Sequence, residues 1–395
     1  MPKIETLAAS PQEKTSRNTL LLPKKKDMMK FRPIFCCLLC LWFCTVTAFA
    51  QKKYTLSHFY TQDSLLTKRT EQILGQMNQE EMAGQMIIQA VGKLGKKTTT
   101  VQRLIQKHQL GGIILLSGEK KSFQKMVHIL DSTATASRSL PILYSADAEP
   151  SLVNRKIKGT RKVRNTSEIK TVQQCRWVAS SISKDLLEMG VRQNFAPICD
   201  LSTANQAIGN RSFGSNPDSV ALLADAFIQF SQQIGVAATA KHFPGHGFVK
   251  GDTHHELVYI DGELKETDVY KPLIARGVVG IMVAHIAVRN NPLYDTKGLP
   301  ASCSEVIVKK LLKETMGFKG LAISDAMNMK AATNIPQASL KAAMAGCDMI
   351  LMPPNETEAI NSIVEEMNQN EQFRKQIHES VKKIIRLKIC LGLIY

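Results

Sequence analysis

Four of the chain's nine histidines fall between positions 242 and 255. The segment reads Lys241-His242-Phe243-Pro244-Gly245-His246-Gly247 and, four residues on, Asp252-Thr253-His254-His255. Three kinds of chemistry suit such a cluster. Histidines and an aspartate at short spacing can ligate zinc, but Pro244 and the two glycines exclude a regular helix, so His242 and His246 need not share a face. The same residues can merely satisfy the polar groups of a crowded loop. They can also form an acid/base site. Asp252 lies two residues from His254, and alternate residues of an extended segment point to the same side. A carboxylate beside an imidazole favours the imidazolium and fixes its tautomer. A second candidate is Asp325, in Leu321-Ala322-Ile323-Ser324-Asp325-Ala326-Met327, at the end of an apolar run. It reads either as a catalytic carboxylate or as the N-cap of the next helix.

These residues need elements to position them. The 395 residues are 44% hydrophobic and 22% charged, a globular composition that excludes wholesale disorder, collagen and coiled coil. Short apolar runs predict strands near 85–89, 112–116, 141–146, 191–197, 236–242, 280–285, 320–325 and 348–352. Amphipathic stretches between them predict helices, among them 171–189, 217–233, 304–316, 336–345 and 371–389. Runs such as Gly112-Ile113-Ile114-Leu115-Leu116 suit strands buried on both faces of a parallel sheet. Eight strand–helix units in one domain predict a (β/α)8 barrel of the TIM type, with an open doubly wound sheet as the alternative. In a barrel the active site is built on the C-terminal face of the strands. Asp147, Asp200, His285 and Asp325 all end or follow a predicted strand, so they converge on that face. The stretch 147–170 is basic and shows no periodicity, and reads as a long loop after the third strand.

The amino terminus reads as an export signal. Residues Phe31 to Ala50 are almost continuously apolar, Lys30 and Arg32 lie at the start, and Ala48-Phe49-Ala50 precedes Gln51. This is a basic n-region, an apolar h-region and an Ala-x-Ala cleavage site. Residues 1–27 then form a mis-called leader, 28–50 the signal peptide and 51–395 one catalytic domain. The expected product is exported, periplasmic or secreted, with no stable membrane span after processing; an uncleaved anchor is the lesser alternative. Cys36, Cys37, Cys40 and Cys44 lie in the signal. The remaining five are scattered, odd in number and lack a Cys-x-x-Cys pair, so neither a disulfide framework nor a zinc site is indicated. The net charge of +17 is spread along the chain without a basic helix interleaved with aromatics, so no nucleic-acid partner is expected.

At these residues the chain resembles the family 3 glycoside hydrolases, in particular their β-N-acetylglucosaminidase (β-hexosaminidase) branch. The run 241–247 with Asp252-Thr253-His254 matches that branch's signature. Asn194-Phe195-Ala196-Pro197 with Asp200, Gly209-Asn210-Arg211-Ser212-Phe213-Gly214, and Gly317-Phe318 with Ser324-Asp325 match further blocks in the same order. Met77-Asn78-Gln79-Glu80-Glu81-Met82 resembles the helix before the first strand, and Asn78 with Glu81 fits a capping box. The resemblance spans roughly 65–395. It implies a retaining hydrolase that removes terminal β-linked N-acetylglucosamine from peptidoglycan fragments or chitooligosaccharides. Alternatives are a phosphorolytic enzyme and a catalytically impaired sugar-binding protein. It further implies Asp325 as nucleophile, His254 paired with Asp252 as acid/base, and Asp147, Arg211, Lys241 and His242 on the sugar. No cofactor or metal is implied, and the partner is a carbohydrate containing N-acetylglucosamine. One block departs from the family pattern. After Asp147 a Gly-rich stretch bearing an arginine is usual, whereas this chain has Ala148-Glu149-Pro150-Ser151-Leu152-Val153-Asn154-Arg155, leaving Arg155 to take over that arginine's role.

Overall fold

The computed structural model describes residues 53–202, 208–249, 251 and 256–395. Eight strands carry the architecture: β1 (Ile87–Ala90), β2 (Gly112–Leu115), β3 (Leu143–Ala146), β4 (Gln193–Asn194), β5 (Ala237–Phe243), β6 (Gly280–Val283), β7 (Leu321–Ser324) and β8 (Ile350–Leu351). From β1 to β7 each pairs in parallel with the next in chain order, and β8 pairs with β1. An Ile323–Met349 bridge, with the Ser324 N–H on the Met349 carbonyl at 3.0 Å, brings β7 to β8 and closes the circle. The result is the (β/α)8 barrel that the sequence predicts. Every residue of the eight strands is buried, since side chains point either into the barrel or under the helices.

The helices are α1 (Ser64–Leu74), α2 (Gln79–Gln85), α3 (Thr98–Gln106), α4 (Lys120–Ala136), α5 (Val172–Glu188), α6 (Pro217–Ile234), α7 (Thr267–Ala275), a wide-turned α8 (Val306–Thr315), α9 (Ala338–Ala345), α10 (Glu356–Gln369) and α11 (Glu371–Cys390). Their ends follow the sequence. Asn78 accepts from the Glu81 N–H at 2.9 Å while Glu81 accepts from the Asn78 N–H at 3.0 Å, so the capping box is present. Asn216 caps α6 ahead of Pro217, and Gly235, at φ 100°, ends it in the left-handed region. Among the described residues no helix is long and apolar enough to cross a membrane.

Three details depart from expectation. The first strand starts at Ile87 rather than 85, because Gln85 completes α2. Only Gln193–Asn194 of the fourth run forms a regular ladder, because Pro197 has no N–H to donate. The chain still follows β5 beyond it: the Thr239 N–H donates to Ala196 O at 3.0 Å and the Lys241 N–H to Pro197 O at 3.1 Å. The stretch 147–170 is not one irregular loop. It holds a short helix at Val153–Lys156, a strand Ile157–Lys158 paired in parallel with Gly118–Glu119, and a turn at Thr166–Glu168 boxed by Asn165 and Glu168. Each piece is too short to show a period.

Candidate active site

At the C-terminal face the loop after β3 supplies Asp147 and Glu149, and β5 carries Lys241 and His242 just before its last residue. The Lys241 ammonium sits between the two carboxylates, ion-paired with Asp147 and 2.6 Å from Glu149 Oε1. Arg211 grips Glu149 with two prongs, Nε on Oε2 and Nη2 on Oε1, each at 2.8 Å. Lys156 pairs with the other oxygen of Asp147. Burial would raise the Asp147 carboxyl, but Lys241 and Lys156 beside it hold it well below the usual carboxylate range. Burial likewise works against the Lys241 ammonium, and Asp147 and Glu149 outweigh it, raising its pKa. The five side chains form one ladder of alternating charge along the pocket wall.

His242 is fixed from below. Asp200, wholly buried, accepts from His242 Nδ1 at 2.7 Å, from the His242 N–H at 3.2 Å and from the His246 N–H at 2.8 Å. A carboxylate on Nδ1 places the proton there and sets the ring's tautomer. Burial lowers the pKa of His246 and favours its neutral form. The two rings stand 6.0 Å apart at 71°. Both oxygens of Asp200 thus accept N–H groups from the strand end and the turn that follows it.

Asp325 follows β7 directly. Its N–H donates to Val283 O at 2.9 Å, and its Oδ1 accepts from the Ala326 N–H at 2.7 Å. Burial would raise this carboxyl; the neighbouring His285 and His242, the Ala326 N–H and Lys241 overcome that and lower it below the ordinary value. The group is ionised at neutral pH, as a nucleophile must be. A cavity of about 370 Å³ is lined by Asp147, Lys156, Arg211, Lys241, His242, His246 and Asp325, with Phe195, Met282 and Met329 among its apolar walls. A larger groove of about 720 Å³ runs between residues 333–340 and 354–365, but no lysine, arginine or histidine lines it.

Of the residues singled out in the sequence, Asp147, Arg211, Lys241, His242 and Asp325 therefore meet around one cavity. Asp252 and His254 lie outside the described residues, as does the segment 28–50. Arg155 is exposed on the short helix Val153–Lys156; Lys156, one residue on, is the cation that reaches Asp147. Glu266 was not legible in the sequence. Its Oε1 accepts from the Leu201 N–H at 2.7 Å and its Oε2 from the Gly247 N–H at 2.9 Å, tying together the stretches that follow β4 and β5. Burial and the nearby Asp200 push its carboxyl up to about 8. Gly247 must be glycine here, since a Cβ would lie 2.1 Å from Leu201 O and 2.6 Å from Glu266 Oε1.

A parallel barrel with charged side chains gathered around a cavity at the C-terminal ends of its strands has the architecture of a barrel enzyme. The chain matches the glycosyl hydrolase family 3 N terminal domain over residues 70–387 and belongs to that family. Within the family it falls in the β-hexosaminidase branch. It is 32% identical over 279 residues to a beta-hexosaminidase of Vibrio cholerae serotype O1, covering 67% of this chain and 82% of that protein. It is 34% identical over 246 residues to a beta-hexosaminidase of Actinobacillus pleuropneumoniae serotype 5b, covering 57% of this chain and 68% of the relative. Among solved structures, a glycoside hydrolase family 3 beta-N-acetylglucosaminidase from Paenibacillus superposes with a TM-score of 0.75 at 27% identity over 80% of this chain. The chain spans 63% of that larger protein.

Proposed function

We propose that the protein hydrolyses terminal non-reducing β-linked N-acetylglucosamine from peptidoglycan fragments or chitooligosaccharides, with retention at the anomeric carbon. The observation that carries this reading is the ionised Asp325 facing a cavity walled by Lys241, Asp147 and Arg211. Relatives named beta-hexosaminidase support the sugar. In the first step Asp325 attacks the anomeric carbon and the glycosidic bond breaks, while a protonated group donates to the departing oxygen. His254, with Asp252 two residues before it, supplies that proton in this reading. In the second step the same histidine, now neutral, takes a proton from water as its oxygen attacks the anomeric carbon and releases Asp325. A histidine suits both roles because its ordinary pKa of about 6.5 lies near working pH. Asp147, Lys241 and Arg211 hold the sugar hydroxyls and the N-acetyl group by charged hydrogen bonds, each worth about 1.5–3 kcal/mol. Arg155 is not part of that set; Lys156 takes its place.

Water is the acceptor in this reading, with phosphate as the alternative; among the described residues the cations Lys156, Lys241 and Arg211 are paired with the carboxylates Asp147 and Glu149. Export follows from the basic, apolar and Ala-x-Ala pattern of residues 28–50, and the working chain begins near Gln51. Proton NMR of the first-formed product from a chromogenic N-acetylglucosaminide tests the reading. The β anomer is expected; an α anomer or no turnover overturns it.

A further inference from the structure

His285 follows β6 and is wholly buried, as is Ser302. The ring's Nε2 lies 3.1 Å from the carbonyl oxygen of Ala326. A carbonyl only accepts, so Nε2 carries a proton. Nδ1 lies 2.7 Å from Ser302 Oγ, and the Ser302 N–H donates to Ala284 O at 3.1 Å, so serine and ring are both referred to the end of β6.

The turn that His285 holds is the one that follows the nucleophile. Its backbone is pinned at Asp325, whose N–H is on Val283 O at 2.9 Å, and at Met327, whose N–H is on Leu351 O at 2.8 Å. Between these points Ala326 does two things. Its N–H holds Asp325 Oδ1 at 2.7 Å, and its carbonyl accepts from the Met329 N–H at 3.0 Å and from His285. Rotation of this residue would swing the N–H away from the carboxylate. The His285 ring resists it together with the Met329 N–H on the same carbonyl. We propose that His285, braced by Ser302, is a positioning residue: by gripping the Ala326 carbonyl it fixes the Ala326 N–H that orients the nucleophilic oxygen pair of Asp325. The inference rests on Asp325 being the nucleophile. Because a misplacement near 1 Å can cost a reaction about 10²-fold, the contribution belongs to the rate of attack rather than to sugar binding.

The test uses the full exported chain and three variants, His285→Leu, His285→Gln and Ser302→Ala. Rapid-mixing release of nitrophenol from an activated N-acetylglucosaminide isolates attack by Asp325, since this leaving group needs little protonation. His285→Leu is expected to slow release about 10²-fold with KM within about threefold of wild type. His285→Gln recovers to within about tenfold, because its amide can donate to Ala326 O and accept from Ser302. Ser302→Ala, which removes one hydroxyl and keeps the fold, slows release about fivefold, the worth of about 1 kcal/mol. Wild-type release by His285→Leu or Ser302→Ala overturns the inference, as does a glutamine variant no better than leucine. The Ala326 amide proton gives a readout that needs no turnover. Bonded to a carboxylate it resonates far downfield; it is expected to move upfield in His285→Leu and to stay in place in His285→Gln. An unmoved resonance in the leucine variant sinks the role of His285, whereas a wild type that releases no nitrophenol sinks the hydrolase reading instead.

Discussion

Lys388 gives a pH-dependent prediction that can be worked from the structure. It lies on α11, wholly buried, and its Nζ meets Gln85 Oε1 at the end of α2 at 2.7 Å. Burial alone lowers its pKa from 10.5 to about 7. The folded chain therefore binds fewer protons than the unfolded chain between pH 7 and 10.5, and stability rises with pH across that window. The penalty is fully present below about pH 7 and gone above about 10.5. At about 1.4 kcal/mol for each pKa unit it is on the order of 5 kcal/mol. Lys388→Met keeps the buried stem, removes the charge and leaves Gln85 Oε1 without this donor, which costs about 1–3 kcal/mol. The variant should thus be about 2–4 kcal/mol more stable than wild type at pH 6. Near pH 10 the gap closes, and the lost bond leaves the variant up to about 2 kcal/mol below wild type. Urea unfolding of both proteins at pH 6, 8 and 10 measures this, and other titrating groups cancel in the difference. A gap that does not change with pH, or a methionine variant less stable at pH 6, refutes the reasoning.

Two further predictions concern the site. Lys156→Met should raise KM about 10–100-fold by stripping Asp147 of a charged partner, whereas Arg155→Met should leave steady-state kinetics within about twofold; equal effects of the two would show that the short helix does not present Lys156 to the sugar. His254→Ala should slow the first step about 10²–10⁴-fold on poor leaving groups and far less on nitrophenyl substrates, with the glycosyl-enzyme accumulating on the latter. Its kcat across a leaving-group series decides, and an equal loss throughout would point away from His254 as the acid/base.

The barrel was legible because its physics writes itself into the chain. A strand buried on both faces must be apolar throughout, so Gly112–Leu115 and Gly280–Val283 stand out as runs, and the polar residue that ends each run lands on the active face. Asp147 and Asp325 were visible for that reason. The 150–168 stretch was not. Its helix has four residues and its strand two, below any period, and adjacent positions of like charge, Arg155 and Lys156, differ only in the face that the short helix presents. Glu266 was hidden differently. It sits in a polar stretch that resembles an ordinary helix start, and only the fold brings the Leu201 and Gly247 N–H groups onto its carboxylate. His285 was visible as a strand-end residue, but its hold on Ala326 depends on a turn after a different strand.

The central claim is that Asp325 forms a covalent bond to the sugar. A slow fluorinated N-acetylglucosaminide should trap that species, and intact-mass measurement followed by peptide mapping locates it. One added N-acetylglucosaminyl group on the peptide containing Asp325, absent in Asp325→Asn, is the predicted result. An active enzyme that carries no adduct, or carries it on another residue, would contradict the account.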